Sequence, residues 1–164
     1  MGIYLGIDPS TKSTGYGVVN DAEELIGWGV IEPNKKKMDV REQAVFQYEQ
    51  LKNLIEKYQV THICCEDQFN RINADTFKKL SRISGYIILL SGQLQLPIQL
   101  YPPKKWRKIF HGDGKAKKED TLELVNRLFN LDLKANQNDI ADAIGIAIAG
   151  RRGFQMGGGE KLCS

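Results

Sequence analysis

Ile3-Tyr4-Leu5-Gly6-Ile7-Asp8-Pro9, Thr14-Gly15-Tyr16-Gly17-Val18-Val19 and Leu25-Ile26-Gly27-Trp28-Gly29-Val30-Ile31 follow one another near the start of this 164-residue chain. The first apolar run stops at Asp8-Pro9, because proline cannot continue a central strand. Polar residues Ser10 to Ser13 form a turn, and a second turn falls at Asn20 and Asp21. Two successive hairpins predict an antiparallel meander of three strands.

The pattern then changes period. Ala44, Tyr48, Leu51, Ile55 and Tyr58 step by three and four, as on one face of an amphipathic helix. Val60-Thr61-His62-Ile63-Cys64-Cys65 reads as a buried strand ending at Glu66-Asp67, and Phe77, Leu80, Ser84, Ile87 and Ser91 mark a second helical stripe. Pro97 to Tyr101 is a short fifth strand closed by Pro102-Pro103, and helices are predicted over Lys118–Phe129 and Asn138–Gly150. A meander followed by alternating strands and helices is an α/β fold with a partly antiparallel sheet. The expected organisation is one domain over residues 1–150 and a flexible tail over 151–164, which carries four glycines among few apolar residues.

Composition narrows the classes. Apolar residues make up 41% and charged residues 26%, as in globular proteins, and the net charge of +3 excludes a histone-like polycation or an acidic disordered chain. No apolar run approaches the roughly 20 residues that span a bilayer. Asp8 arrives too early for a secretory signal, and Gly6 breaks the myristoylation pattern, so a cytoplasmic address is expected. Cys64 and Cys65 are adjacent on a strand and point to opposite faces, which suits neither a disulfide nor a metal site. His62 and His111 read as a strand and a loop residue, and Trp28 and Trp106 as packing residues.

Four acids sit where elements end. Asp8 closes the first strand, Glu66 the fourth, and Asp139 and Asp142 share one face of the last helix at i,i+3 spacing, with Ile140, Ile144, Ala147 and Ile148 on the core side. Singly, each has an ordinary explanation: Asp8-Pro9 opens a turn, Glu66 is a solvated strand end, and Asp139 complements a helix dipole beside Asn138 as cap. If strands one and four are parallel neighbours, Asp8 and Glu66 meet at the carboxyl edge where open α/β sheets bind ligands. Carboxylates gathered there need a cation, and hard oxygen donors suit Mg²⁺ or Mn²⁺.

The mild net charge is unevenly spread. Between Tyr101 and Lys118 stand Lys104, Lys105, Arg107, Lys108, Lys115, Lys117 and Lys118 against Asp113 alone, a local +6 that leaves −3 for the rest. Such a strip is the footprint of a polyanion site, although a solvated charged loop would look the same. The turn His111-Gly112-Asp113-Gly114-Lys115 could offer backbone N–H groups to a phosphate at the start of the next helix.

Taken together, Gly6-Ile7-Asp8-Pro9 with Thr14-Gly15-Tyr16-Gly17, Glu66 with Gln68-Phe69 and Asn73-Ala74-Asp75, Gly112-Asp113-Gly114-Lys115-Ala116-Lys117-Lys118, and Asp139-Ile140-Ala141-Asp142-Ala143 resemble the RuvC-type Holliday-junction resolvases. The motifs keep the family's order and spacing from about Ile3 to Gly150. The resemblance implies an RNase H-like fold: a five-stranded mixed sheet, its first three strands antiparallel, flanked by α-helices. It further implies a homodimer that nicks two strands of a four-way junction with two Mg²⁺ ions per site, Mn²⁺ substituting. The ligands would be Asp8, Glu66, Asp139 and Asp142, with Lys118 completing the catalytic set by stabilising charge near the cleaved phosphate. Phe69, with Asn70 and Arg71 beside it, would meet bases near the crossover. Arg107 and Lys118 would face the backbone, with Lys104, Lys105, Lys108, Lys115 and Lys117 along the same strip, and Asn73 to Ile88 would pack across the dimer two-fold. Departures are Ser10, where bacterial members usually carry glycine, and Asn70, Arg71 and Ile72 around the aromatic. Ribonuclease H action on RNA–DNA hybrids, broader branched-DNA specificity, a nucleotide-binding lobe of the actin or sugar-kinase type, and a non-catalytic junction binder remain alternatives. A branch-migration partner is not legible.

Overall fold

The structure, a computed structural model, describes residues 1–10, 12–67 and 73–156. Its strands are β1 (Ile3–Pro9), β2 (Thr14–Asn20), β3 (Leu25–Ile31), β4 (His62–Glu66) and β5 (Ile98–Tyr101). They form one sheet in the order β3-β2-β1-β4-β5. The β1–β2 and β2–β3 pairs are antiparallel, whereas β4 runs parallel to both β1 and β5. The expected meander and mixed sheet are both present.

Helices α1 (Val40–Tyr58) and α2 (Ala74–Gln93) cover one face, and α3 (Pro103–His111), α4 (Lys118–Phe129) and α5 (Asn138–Gln155) the other. The two cores follow from strand alternation. Leu5, Ile7, Val18, Ile63 and Cys65 pack with Leu51, Ile55, Ile83 and Ile87, while Tyr4, Val19 and Cys64 pack with α5 and with Trp106 and Phe110 of α3. Cys64 and Cys65 are buried and free.

Helix α5 lies directly on the sheet. A Cβ at Gly6 of β1 would stand 2.1 Å from the Ala143 carbonyl oxygen, so only glycine permits this approach. Every residue from Ile140 to Gly150 is buried, because α3 and α4 cover the side that the sheet does not. This corrects the expectation of an amphipathic last helix: Asp142 is enclosed with its apolar neighbours rather than facing solvent. It also corrects the expected tail at Arg151. The helix continues to Gln155, Phe154 packs against Tyr4 and His62, and Arg151 and Arg152 pair with Glu23 at 3.2 and 2.7 Å. Residues 157–164 lie outside the described residues.

Other helix faces differ in detail. On α1 the buried line is Gln47, Leu51 and Ile55, with Gln47 accepting a hydrogen bond from Thr14. On α2 it is Leu80, Ile83, Ile87, Leu90 and Ser91, and Phe77 is exposed. Trp28, on edge strand β3, is exposed too, contrary to its packing assignment. No helix among the described residues is long and apolar enough to cross a membrane.

Candidate active site

The strand register decides where the acids meet. Gly6 pairs with Cys64 and Ile7 with Cys65 across the parallel β1–β4 ladder, so Asp8 and Glu66 follow side by side at the carboxyl ends. Alternation puts both on the face of Tyr4, Gly6 and Cys64, which α5 covers. Asp139 and Asp142 arrive there from the first two turns of α5. The convergence expected of the four acids is therefore present.

The acids act on one another electrostatically. Asp8 and Glu66 are buried, as is Asp142. Burial is the largest influence raising the Asp8 carboxyl well above its ordinary value, followed by the charges of Glu66, Asp142 and Asp139; Lys118 opposes them. Asp142 is pushed up to about 7, again by burial first and then by Glu66, with Lys118 and Arg107 acting against the rise. Lys118, the first residue of α4, thus stands near enough for its charge to lower both the Asp8 and the Asp142 carboxyl.

Several polar atoms here have no hydrogen-bond partner: Asp8 Oδ1 and both carboxylate oxygens of Asp142. Buried acceptors without partners are uncommon, and oxygen donors of this charge suit a hard divalent cation. Among the described residues no three acids, histidines or cysteines form a ready ligand cage.

Surrounding residues hold the acids in place. Trp106 of α3, fully buried, donates Nε1–H to Glu66 Oε2 at 2.7 Å. Sequence reading had it only as a packing residue, since an indole N–H leaves no trace in hydropathy. Ser13 Oγ donates to Asp139 Oδ2 at 3.4 Å. Arg107, expected to face the DNA backbone, is instead largely buried, stacks 5.1 Å over Trp106 and stands 3.9 Å from Asp142 Oδ2. At that separation it acts on Asp142 as a charge rather than as a hydrogen-bond donor.

The rest of the basic strip is ordered rather than a loop. Pro103 begins α3 at a position where proline is well tolerated, and Trp106 and Phe110 anchor the helix in the core. Lys104, Lys105 and Lys108 remain exposed on its outer side. Gly112 ends the helix at φ 80°, and His111, on the last turn of α3 and not in a loop, bonds Thr121 of α4 at 2.8 Å. In the turn that follows, Asp113 already accepts from the Lys115 N–H, and Asp120 from the Lys117 N–H, so those two amides are engaged. Lys115 and Lys117 extend into solvent. Asn138 is not the α5 cap; Gln137 takes that position, and the Asn138 side-chain oxygen is buried without a partner. Phe69, Asn70 and Arg71 lie outside the described residues.

The Trp106 contact predicts a measurable effect. Trp106→Phe keeps the ring in the core but removes the donor to Glu66. Support of this kind behind a metal-binding carboxylate is worth about tenfold or more, so single-turnover cleavage should fall about tenfold while junction binding holds. Unaltered cleavage would leave the indole as packing alone.

Comparison with known proteins agrees with this geometry. The family model for crossover junction endodeoxyribonuclease RuvC matches residues 4–150. The RuvC protein of Chloroherpeton thalassium is 31% identical over 151 residues, covering 90% of this chain and 81% of that protein. That of Thermomicrobium roseum is 30% identical over 146 residues, covering 88% and 89%. The structure of Thermus thermophilus RuvC in complex with a Holliday junction substrate superimposes with a TM-score of 0.82 at 19% identity, over 96% of this chain and 98% of that one. With the family model spanning the sheet, the strip and all four acids, and relatives aligned over nearly their full lengths, the chain belongs to the RuvC family of crossover junction endodeoxyribonucleases.

Proposed function

We propose that this protein is a divalent-metal-dependent endonuclease that resolves four-way DNA junctions by paired nicks. The observation that carries this reading is the convergence of Asp8, Glu66, Asp139 and Asp142, with buried oxygens left without partners, in a chain of the RuvC family. The four carboxylates would hold two Mg²⁺ ions, with Mn²⁺ able to substitute. Such ions, when bound, assist formation of the attacking hydroxide and stabilise the leaving oxygen.

The chain's own residues do the remaining work. Burial and mutual repulsion keep the carboxylates poised to release a proton in exchange for a cation. Trp106 orients Glu66, and Ser13 orients Asp139. Lys118 places positive charge beside the acids, where the phosphate undergoing attack gains negative charge. Lys104, Lys105, Lys108, Lys115 and Lys117 hold the flanking backbone, and Arg107 contributes from behind Asp142 rather than from the surface. Phe69, Asn70 and Arg71 are assigned to the junction crossover.

A homodimer fits both substrate and surface. A four-way junction has approximate two-fold symmetry, which a C₂ dimer with two sites matches. Phe77 and Ile88 of α2 are 43% and 40% exposed, an apolar surface on the segment assigned to the two-fold. The nuclease domain is assigned to residues 1–150 with α5 running on to Gln155. We assign the enzyme to the bacterial cytoplasm, where its DNA substrate would lie.

The test is cleavage of labelled four-way, three-way, flap, duplex and RNA–DNA hybrid substrates with Mg²⁺. The four-way junction should be cut by symmetrically paired nicks and the duplex left intact. Preferential cutting of the hybrid would replace this reading with a ribonuclease H activity, and equal cutting of three-way and flap DNA with a broader branched-DNA nuclease.

A further inference from the structure

A second gathering of positive charge lies beyond the strip on α3 and α4. Lys12 on the β1–β2 turn, Lys35 ahead of α1, and Lys79 and Arg82 on α2 line a cleft of about 250 Å³ that no carboxylate enters. Three separate stretches of chain supply these cations, so no window of the sequence displays the cluster. All four are exposed at the rim, and among the described residues none of them makes an ion pair. Crowding is evident at Lys35, whose ammonium is held below its ordinary value by burial and then by Lys79 and Lys12, with Glu32 opposing them more weakly. Like charges brought together repel, and an anion seated among them removes the repulsion.

The cleft adjoins the acids. Ser13 lines it and also donates to Asp139, so the cleft begins where the carboxylate cluster ends. Its walls are α1 and α2, which cover the sheet face opposite to α3 and α4. Long, exposed cations spread along an open cleft match successive backbone phosphates better than they match an enclosed small ligand.

We propose that the cleft formed by Lys12, Lys35, Lys79 and Arg82 binds DNA backbone phosphates, gripping the cleaved strand on the side of the acids opposite to the α3–α4 strip. This rests on the nuclease reading above and adds to it a second anchoring site.

The test compares wild-type protein, the cleft variant K35Q/K79Q and the strip variant K115Q/K117Q. Each is titrated with a four-way junction in metal-free buffer at rising salt. Each phosphate contact contributes about 0.9 to the slope of log affinity against log salt, so K35Q/K79Q should flatten the slope by about 1–2 and weaken binding about tenfold or more at low salt. Ethylation interference should then disappear at phosphates beside the cleaved bond that differ from those lost in K115Q/K117Q. A wild-type slope in K35Q/K79Q, with a flattened one in K115Q/K117Q, would overturn the cleft and leave the nuclease reading standing. Loss of the same phosphates in both variants would also overturn it. A wild-type protein that binds no junction would remove the nuclease reading itself, and the cleft with it.

Discussion

Asp8→Asn is expected to abolish metal-dependent nicking of a four-way junction, leave junction binding intact and make the metal-free protein more stable. The first two outcomes follow from position. Asp8 is the acid most enclosed by the other three, and asparagine keeps its shape while removing the charge that a cation requires. The third follows from repulsion. Asp8 is buried with one oxygen lacking a partner, beside Glu66, Asp142 and Asp139, so neutralising it relieves a strain of about 1–3 kcal/mol or more. The sign can be checked against pH. Asp8 and Asp142 have folded-state values raised above the ordinary 3.8, so the fold holds protons that the unfolded chain releases. Their contribution to stability is complete below about pH 4 and is lost as pH rises, through about 7 for Asp142, with Asp8, raised well above its ordinary value, acting in the same direction. His62 and His111, lowered chiefly by burial, act in the opposite direction, but they are common to both proteins and cancel in the comparison. Thermal melts without metal should therefore show Asp8→Asn exceeding wild type by more at pH 8 than at pH 5, and Mg²⁺ should narrow the gap. Retained cleavage by the variant, or a gap independent of pH, would contradict the assignment.

What could be read from the sequence was whatever depends on local pattern. The meander and the placing of the four acids at element ends follow from runs, turns and spacing, and the start and end of α4 agree with the structure, whereas the parallel β1–β4 pairing enters the sequence reading only as a condition. The parts that could not be read depend on what packs over them. Pro102-Pro103 reads as the end of a strand, and it is also the start of α3, because proline suits both positions. Helix α5 looks amphipathic in isolation, yet α3 and α4 bury its second side, which encloses Asp142 and brings Arg107 inside. Trp106 packs as expected, but its hydrogen bond to Glu66 joins residues forty apart in sequence and depends on how the fold brings them together. The glycine-bearing stretch after position 150 resembles a loose tail until Arg151 and Arg152 find Glu23, more than 100 residues away in sequence.

Gly15→Ala should produce the reverse signature, with stability and cleavage falling together. Gly15 pairs with Asp8 across the β1–β2 ladder and faces the first turn of α5. A Cβ there would stand 2.1 Å from the Asp139 carbonyl oxygen and 2.4 Å from its carbonyl carbon. These are backbone atoms, so no side-chain rotation relieves the contact. Strand β2 is hydrogen-bonded on both edges and cannot yield easily, which leaves the start of α5 to move. Overpacking of this kind costs about 1–3 kcal/mol or more. The displaced turn carries Asp139 and, three residues on, Asp142, and a misplacement of about 1 Å at a catalytic centre can reduce rate about 100-fold. Gly92→Ala is the matched control: its Cβ would meet nothing within 4 Å, and alanine in α2 should stabilise by about 0.5–1 kcal/mol. Thermal melts and single-turnover cleavage of both variants separate the cases. Gly15→Ala at wild-type stability and rate would show that the close seating of α5 on β2 does not position the acids, whereas a joint loss beside a silent Gly92→Ala would tie catalysis to that contact.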